Sequence, residues 1–97
     1  MKHANINLTQ NEAVNRFEIL IEDNIAFIEY KLTDSILFLT HTEVPSALEG
    51  KGVGSAIVTK TFDYAQEKGY KIVPLCSFIQ KYLKRHPEWK DLVASNT

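Results

Sequence analysis

Three glycines at alternate positions, Gly50, Gly52 and Gly54, constrain this chain more than any other feature of its sequence. They follow an apolar run that ends near Val44, and they open a segment from Val53 in which apolar residues recur at helical spacing. Glycine lets the backbone approach a ligand closely, and the first turn of a helix directs unpaired N–H groups and a positive dipole end at an anion. The pattern predicts a strand, a loop suited to a pyrophosphate group, and a helix.

Size and charge narrow the class of protein further. A chain of 97 residues with 44% hydrophobic content suits one small domain, 1–97. Eleven basic and twelve acidic residues give a formal net charge of −1, which predicts neither a nucleic-acid partner nor a membrane partner. No apolar run reaches the roughly 18 residues of a spanning helix, and residues 1–5 do not lead into a signal-peptide core, so a cytoplasmic protein is expected. Cys76 is the single cysteine and the three histidines are dispersed, so no metal site is expected.

The first half of the chain predicts an antiparallel meander. Residues 1–14 hold few apolar residues and are expected to form an edge strand or to be poorly ordered. Runs at 16–21 and 25–32 flank the turn-forming residues 22–24. The run 36–44 is apolar on both faces at its start, which is typical of a central strand covered on both sides.

The second half predicts a crossover back to the sheet. The helix from Val53 should end near Gly69, which suits a left-handed C-cap. The run 70–75 should then form a strand parallel to the one before the helix. The expected fold class is α/β (α+β), a mixed sheet made of an antiparallel meander and one parallel strand, with helices packed on it.

Two short helices are expected after that strand. Ser77 and Gln80 have the S-x-x-Q spacing of a capping box, which places the start of a helix directly after Cys76 and its end near Arg85. Pro87 suits the first turn of a final helix at 88–93. In that segment Trp89 is expected to hold the helix against the core.

Four local patterns in one order carry a family resemblance over about residues 15–95. They are His41-Thr42 with Val44-Pro45, the glycine turn, Pro74-Leu-Cys-Ser77 and Arg85-His-Pro87. Together they resemble a compact branch of the GNAT superfamily of N-acetyltransferases. The resemblance implies an acetyl-CoA-binding fold in which the loop 49–54 holds the pyrophosphate and the pantetheine lies between the strands 36–44 and 71–75. It also implies direct transfer of an acetyl group to an amine acceptor that the sequence does not identify.

The resemblance supplies candidate cofactor contacts for particular residues. Backbone groups at Val44 would bind the pantetheine, and the glycine loop would bind the pyrophosphate. The loop candidates are Gly50, Lys51, Gly52, Val53, Gly54 and Ser55. Phe78 and Tyr82 could stack on the adenine or line the pantetheine, although an aromatic pair at this spacing also suits a core. Arg85 or His86 could contact the cofactor's phosphates, or they could be cations that favour a helix C-terminus.

The loop departs from the superfamily pattern at Glu49, where Gln or Arg is usual. A carboxylate there would repel a pyrophosphate unless it turns away or pairs, for example with Lys51. The loop is therefore expected to bind through its backbone. The acceptor groove of longer members has no counterpart in these residues, which keeps a non-catalytic acyl-CoA-binding or regulatory module as an alternative to a transferase.

Cys76 is predicted between a strand and a helix, where the dipole can lower the pKa of a thiol below about 8.5. Three roles are open: covalent acetyl acceptor, acid for the departing thiolate, and wall of the thioester pocket. Wall or acid is favoured because superfamily members usually transfer directly. A lone cysteine is also commonly a small buried apolar residue. A thiol redox sensor is a second alternative function.

A base must take the proton of the acceptor amine. An amine of pKa about 10.4 costs about 4.6 kcal/mol to deprotonate at pH 7. His41 and Glu43 alternate on one strand and so share a face, which makes them the candidate bases. A hydrogen-bonded histidine and a solvated glutamate are the alternative interpretation of this pair.

Overall fold

The computed structural model describes residues 3–94, which contain a five-stranded sheet. Its strands are β1 Thr9–Asn11, β2 Arg16–Ile21, β3 Asn24–Thr33, β4 Ile36–Glu43 and β5 Lys71–Pro74. They lie side by side in chain order, antiparallel from β1 to β4 and parallel between β4 and β5. The predicted mixed sheet is confirmed. β1 is the edge strand within the arm 1–14, of which residues 1–2 lie outside the described part.

The helices follow the predicted order. Helix α1 Val53–Lys68 connects β4 to β5, and Gly69 ends it in the left-handed conformation with φ 76°. Helix α2 Ser77–Arg85 follows β5. The last segment is a 3-10 helix, Pro87–Leu92, and it stops before Val93 because that residue is extended and bridges to Ile72 of β5.

The core lies on one face of the sheet. Alternate side chains of β2 to β5 are buried in a single cluster with residues of both helices and the last 3-10 segment, among them Phe62 of α1. Trp89 packs edge-on against Phe62 with ring centroids 5.4 Å apart. Ile36 and Phe38, on the other face of β4, are only partly buried. The expectation that β4 is covered on both sides is wrong, because the helices within residues 3–94 all join the core on one side.

A β-bulge interrupts the pairing of β4 with β3. Tyr30 lies opposite Leu39, whereas its neighbour Glu29 lies opposite His41, so Thr40 is an extra residue in β4. The Thr40 hydroxyl donates a hydrogen bond to the Glu29 carbonyl oxygen at 3.3 Å. The bulge shifts the alternation of side chains along the rest of the strand by one residue.

The shifted alternation decides where the polar end of β4 points. Thr42 lies opposite the fully buried Ile28 and so faces the helices. His41 and Glu43 face the other, open side of the sheet, where the His41 ring lies 6.1 Å from the ring of Phe27. One strand therefore presents different polar groups to the two faces.

The capping-box interpretation of Ser77 is wrong. The residue with extended backbone before α2 is Cys76, with φ −83° and ψ 130°, and its carbonyl oxygen accepts the Gln80 N–H at 3.0 Å. Ser77 is thus the first helical residue. The Gln80 side chain donates instead to the Pro74 carbonyl oxygen at 2.9 Å, which ties the helix to the end of β5.

Candidate functional site

A cleft of about 340 Å³ lies where the chain passes from β4 into α1. It is lined by Val44, Leu48, Glu49, Gly50, Gly52, Val53, Gly54, Ser55 and Phe78. The structure therefore brings Val44, most of the glycine loop and Phe78 together. Leu48, which the sequence analysis did not single out, is fully buried beneath the loop at the end of a 3-10 turn, Ser46–Leu48.

The glycine loop leaves its backbone donors available. None of the N–H groups of residues 50–55 donates to a backbone acceptor outside α1 or to a side chain within residues 3–94. Residues 53–55 cannot bond within α1 either, because no helical carbonyl precedes them. Gly50 and Gly52 have φ of 78° and 76°, a left-handed geometry that glycine adopts without strain. The result is a row of donors at the positive end of α1.

Lys51 points to a different partner from the one considered in the sequence analysis. Its Nζ lies 3.2 Å from Glu22 Oε1 in the β2–β3 turn, so pairing with Glu49 is not what the structure contains. The Lys51 carbonyl oxygen lies 2.8 Å from His3 Nε2. Lys51 is absent from the cleft lining, whereas the exposed Glu49 belongs to it. The loop therefore presents backbone N–H groups to the cleft, and the Lys51 side chain does not line it.

The parallel strands separate close to this cleft. Their last paired residue on β4 is Leu39, whose carbonyl oxygen accepts N–H groups from both Leu75 at 3.0 Å and Cys76 at 3.2 Å. β4 continues to Glu43, whereas the segment that follows β5 turns away into α2. A gap between the two strands therefore begins at Cys76.

Cys76 is partly buried at this gap. Its Sγ lies 3.5 Å from Thr42 Oγ1. Burial raises the pKa of the Cys76 thiol, but hydrogen bonds from the Thr42 side chain and from the N–H groups of Ile79, Phe78 and Thr42 lower it by more. The net pKa lies below the ordinary value of a cysteine. The site stabilises the thiolate form of Cys76 relative to that of an ordinary cysteine. The sequence did not reveal Thr42 as its partner, because the bulge that turns Thr42 inward leaves no clear pattern.

His41 and Glu43 form a pair, but on the other face of the sheet. His41 Nε2 lies 3.1 Å from Glu43 Oε1, and both side chains are at least half exposed. Thr42, between them, faces the helices and meets Cys76. The structure thus places the two candidate bases together, and it separates them from the thiol by the thickness of the strand.

A second cleft, of about 270 Å³, adjoins the first. It is lined by Ser55, Phe78, Lys81, Tyr82, Arg85 and His86. Tyr82 is a buried residue whose hydroxyl lies 2.6 Å from Thr59 Oγ1, while Phe78 is 41% exposed. The His86 ring stacks on Tyr82 at 4.3 Å, and its Nδ1 lies 3.3 Å from Glu88 Oε2. Lys81 is a lining residue that was not predicted, although its spacing of four from Arg85 places both on one helix face.

Within residues 3–94, no group of three or more His, Cys, Asp or Glu side chains is arranged to hold a metal ion. None of the helices in the same part of the chain combines the length and the apolar character needed to cross a membrane.

Comparison with solved structures and curated proteins agrees with this geometry. A GCN5-like protein of Staphylococcus aureus has a TM-score of 0.70 and 29% identity, covering 97% of this chain and 93% of that one. Protein NATD1 of Mus musculus and of Gallus gallus is 38% identical over 52 residues, 54% of this chain and 47% of the relative. The alignment spans about half the length of these curated relatives.

A family model supplies the broader match. The model of GCN5-related N-acetyltransferases matches residues 16–92, from the start of β2 to the end of the last 3-10 helix. The match includes the glycine loop, the strand separation and both clefts described above. On these grounds the chain belongs to the GCN5-related N-acetyltransferase family.

Proposed function

We propose that this protein binds acetyl-CoA in the cleft at the start of α1 and transfers the acetyl group to a primary amine. The observation that supports this most directly is the row of unbonded N–H groups in residues 50–55. A diphosphate offers several acceptor oxygens and negative charge, which suit such a row at a helix N-terminus. The φ values of Gly50 and Gly52 keep the row in place.

The strand gap suits the pantetheine arm. Beyond Leu39 the edge of β4 has no partner from β5, so backbone groups as far as Val44 can bind amide groups of an extended arm. The distal end of such an arm would lie near Cys76. Acetyl-CoA supplies a thioester whose C–S bond breaks as the amine nitrogen forms the new C–N bond.

The protein's own groups would then handle the protons. The amine loses a proton, and the His41–Glu43 pair on the open face is our candidate acceptor, with the carboxylate orienting the imidazole. An amine on the open face of the sheet would reach the gap between β4 and β5 from the side on which His41 and Glu43 lie. The departing thiolate needs stabilisation, and Cys76 with Thr42 is a polar pair at the gap that could supply it. In this assignment Cys76 is a wall or an acid and carries no acetyl group.

A non-catalytic acyl-CoA-binding module is the second candidate. The observation that favours it is the position of His41 and Glu43 on the face opposite to Thr42. In that case the cleft would bind the cofactor without a base reaching the acceptor.

The experiment combines calorimetric titration with acetyl-CoA and an assay of thiol release with a mixed pool of amines. Gly52→Ala is the test variant and Gly69→Ala its matched control. Both glycines belong to α1 ends with φ 76°, and a Cβ at either would meet nothing within 4 Å. Each substitution should cost about 1–2 kcal/mol of stability through left-handed strain. We expect Gly52→Ala to weaken acetyl-CoA binding and Gly69→Ala to leave it unchanged.

The outcomes separate the candidates. Equal effects of the two substitutions on binding would refute the phosphate site, as would a wild-type protein that does not bind. Tight binding without thiol release, unaltered by His41→Gln or Cys76→Ala, would support the module and reject the transferase.

A further inference from the structure

The second cleft differs from the first in the kind of positive charge it offers. In the first cleft the donors are backbone N–H groups, and Glu49 contributes a carboxylate. In the second, Lys81, Arg85 and His86 line one wall. A ligand that occupied both would therefore meet a backbone site followed by a cationic side-chain site.

The cations of the second cleft are free to meet a ligand. Lys81 and Arg85 are exposed, and neither forms a hydrogen bond or an ion pair with another side chain in the described part of the chain. His86 is held more firmly, since it stacks on Tyr82 and its Nδ1 lies close to Glu88. Glu88 places a carboxylate beside the His86 ring. Lys81 and Arg85 have no such carboxylate partner within residues 3–94.

The two clefts share a wall. Ser55 and Phe78 line both, so the row of N–H groups and the cationic wall are next to each other. The buried Tyr82, bonded through its hydroxyl to Thr59, forms a fixed floor on the cationic side. Because the clefts adjoin, a ligand with two phosphate groups on neighbouring positions of one scaffold suits them both.

Coenzyme A has such an arrangement, because one ribose carries the diphosphate at its 5′ position and a monophosphate at its 3′ position. We infer that the second cleft binds the 3′-phosphate, with Arg85 and Lys81 as its ligands, and that the protein discriminates coenzyme A from its 3′-dephospho form. The inference rests on the proposed function, and it adds a specificity to the cofactor site. An arginine offers a phosphate two parallel hydrogen bonds and a lysine a point charge, which explains why both types would serve here.

The test is a calorimetric titration with acetyl-CoA and with acetyl-3′-dephospho-CoA. Wild-type protein should bind acetyl-CoA at least about tenfold more tightly, the effect of a charge-assisted phosphate contact. Arg85→Gln and Lys81→Gln should each reduce this preference by weakening acetyl-CoA binding alone. Lys84→Gln removes the same charge from the same helix outside the cleft, so it should keep the preference.

Each outcome supports or contradicts a 3′-phosphate site in the second cleft. Wild-type protein that binds both ligands equally would overturn this inference and leave the proposed acetyl-CoA site standing. Wild-type protein that binds neither would overturn both. A preference that Arg85→Gln, Lys81→Gln and Lys84→Gln reduce alike would show a general charge effect and reject the specific site. Because Lys81 and Arg85 are exposed, circular dichroism should show all three variants folded.

Discussion

The ring of Phe78 lies against the backbone of Gly54, where an added Cβ would come within 2.6 Å of the ring's Cζ. Gly54 thus differs from Gly50 and Gly52, whose Cβ positions are open and whose φ values are positive. At residue 54 the absence of a Cβ is what lets the Phe78 ring approach the backbone this closely. The contact joins the first turn of α1 to α2 and forms the wall between the two clefts.

Replacing Gly54 by alanine should reveal this contact. Alanine favours a helix by about 1 kcal/mol over glycine, but here the methyl group displaces the Phe78 ring. We expect Gly54→Ala to raise the free energy of unfolding by less than this difference in helix propensity, or to lower it. We also expect it to weaken acetyl-CoA binding. Urea unfolding and calorimetry measure the two effects.

The control is the same substitution in a Phe78→Ala background, where the ring is gone. There Gly54→Ala should show its full helix-propensity gain, and the double-mutant cycle should give a coupling of about 0.5–3 kcal/mol. Additive free energies would show that the two residues do not compete for space.

Thr42→Val should make the Cys76 thiol less reactive. The Thr42 hydroxyl helps to lower the pKa of Cys76, so its removal raises that pKa and reduces the thiolate fraction at pH 7. The rate of alkylation should fall by up to about tenfold, the change that one pKa unit produces, and its pH midpoint should move upward. Thr40→Val is the control, since its hydroxyl bonds to Glu29 instead. A pH profile unchanged by Thr42→Val would contradict the assignment.

His41→Gln and Glu43→Gln should slow transfer without weakening the cofactor complex. Loss of a general base typically costs about 10²-fold or more in rate, whereas both side chains face away from the cleft residues. We expect a lower kcat with an unchanged dissociation constant for acetyl-CoA. Glu18→Gln removes a carboxylate from the same face of the sheet and should leave kcat as it is. An equal fall of kcat in all three variants would contradict a specific base and indicate an effect of the overall charge on this face of the sheet.

Phe62→Ala should destabilise the fold strongly. Phe62 is fully buried and its ring contacts Tyr82 and Trp89, so it joins α1 to α2 and to the last 3-10 helix. Truncating such a ring costs about 3–5 kcal/mol. Leu20→Ala, at a side chain 59% exposed, should change the free energy of unfolding by no more than about 0.5 kcal/mol. Thermal unfolding of both variants measures the difference, and similar midpoints would place the core elsewhere.

Local patterns were enough to predict the elements and their order. Alternation fixed the buried face of β2, where Phe17 and Ile19 point inward, and Gly69 marked the end of α1. The length of the crossover set the parallel pairing of β5. These features depend on neighbours along the chain, which a single sequence records directly.

Features that depend on distant residues were missed or misplaced. Lys51 pairs with Glu22, 29 positions away, and the turn that brings them together leaves no trace near Lys51. The capping role assigned to Ser77 was wrong by one residue, because the hydrogen bonds of Leu39 hold Cys76 extended. The exposure of the second face of β4 depends on where the helices pack, and an apolar run in the sequence does not contain that information.

The extra residue at Thr40 has a consequence for how this small sheet can be altered. Deleting it would remove the bulge and leave His41 and Thr42 on their present faces, whereas a regular ladder in which Thr40 paired with Glu29 would turn the imidazole of His41 toward the helices and the hydroxyl of Thr42 toward solvent. In that regular ladder the two sides of β4 would exchange their polar groups, while the apolar half before residue 40 stayed as it is. A shift of one residue in the pairing of β4 with β3 is therefore enough to reassign which side of the molecule carries the candidate proton-transfer groups and which carries the partner of the thiol.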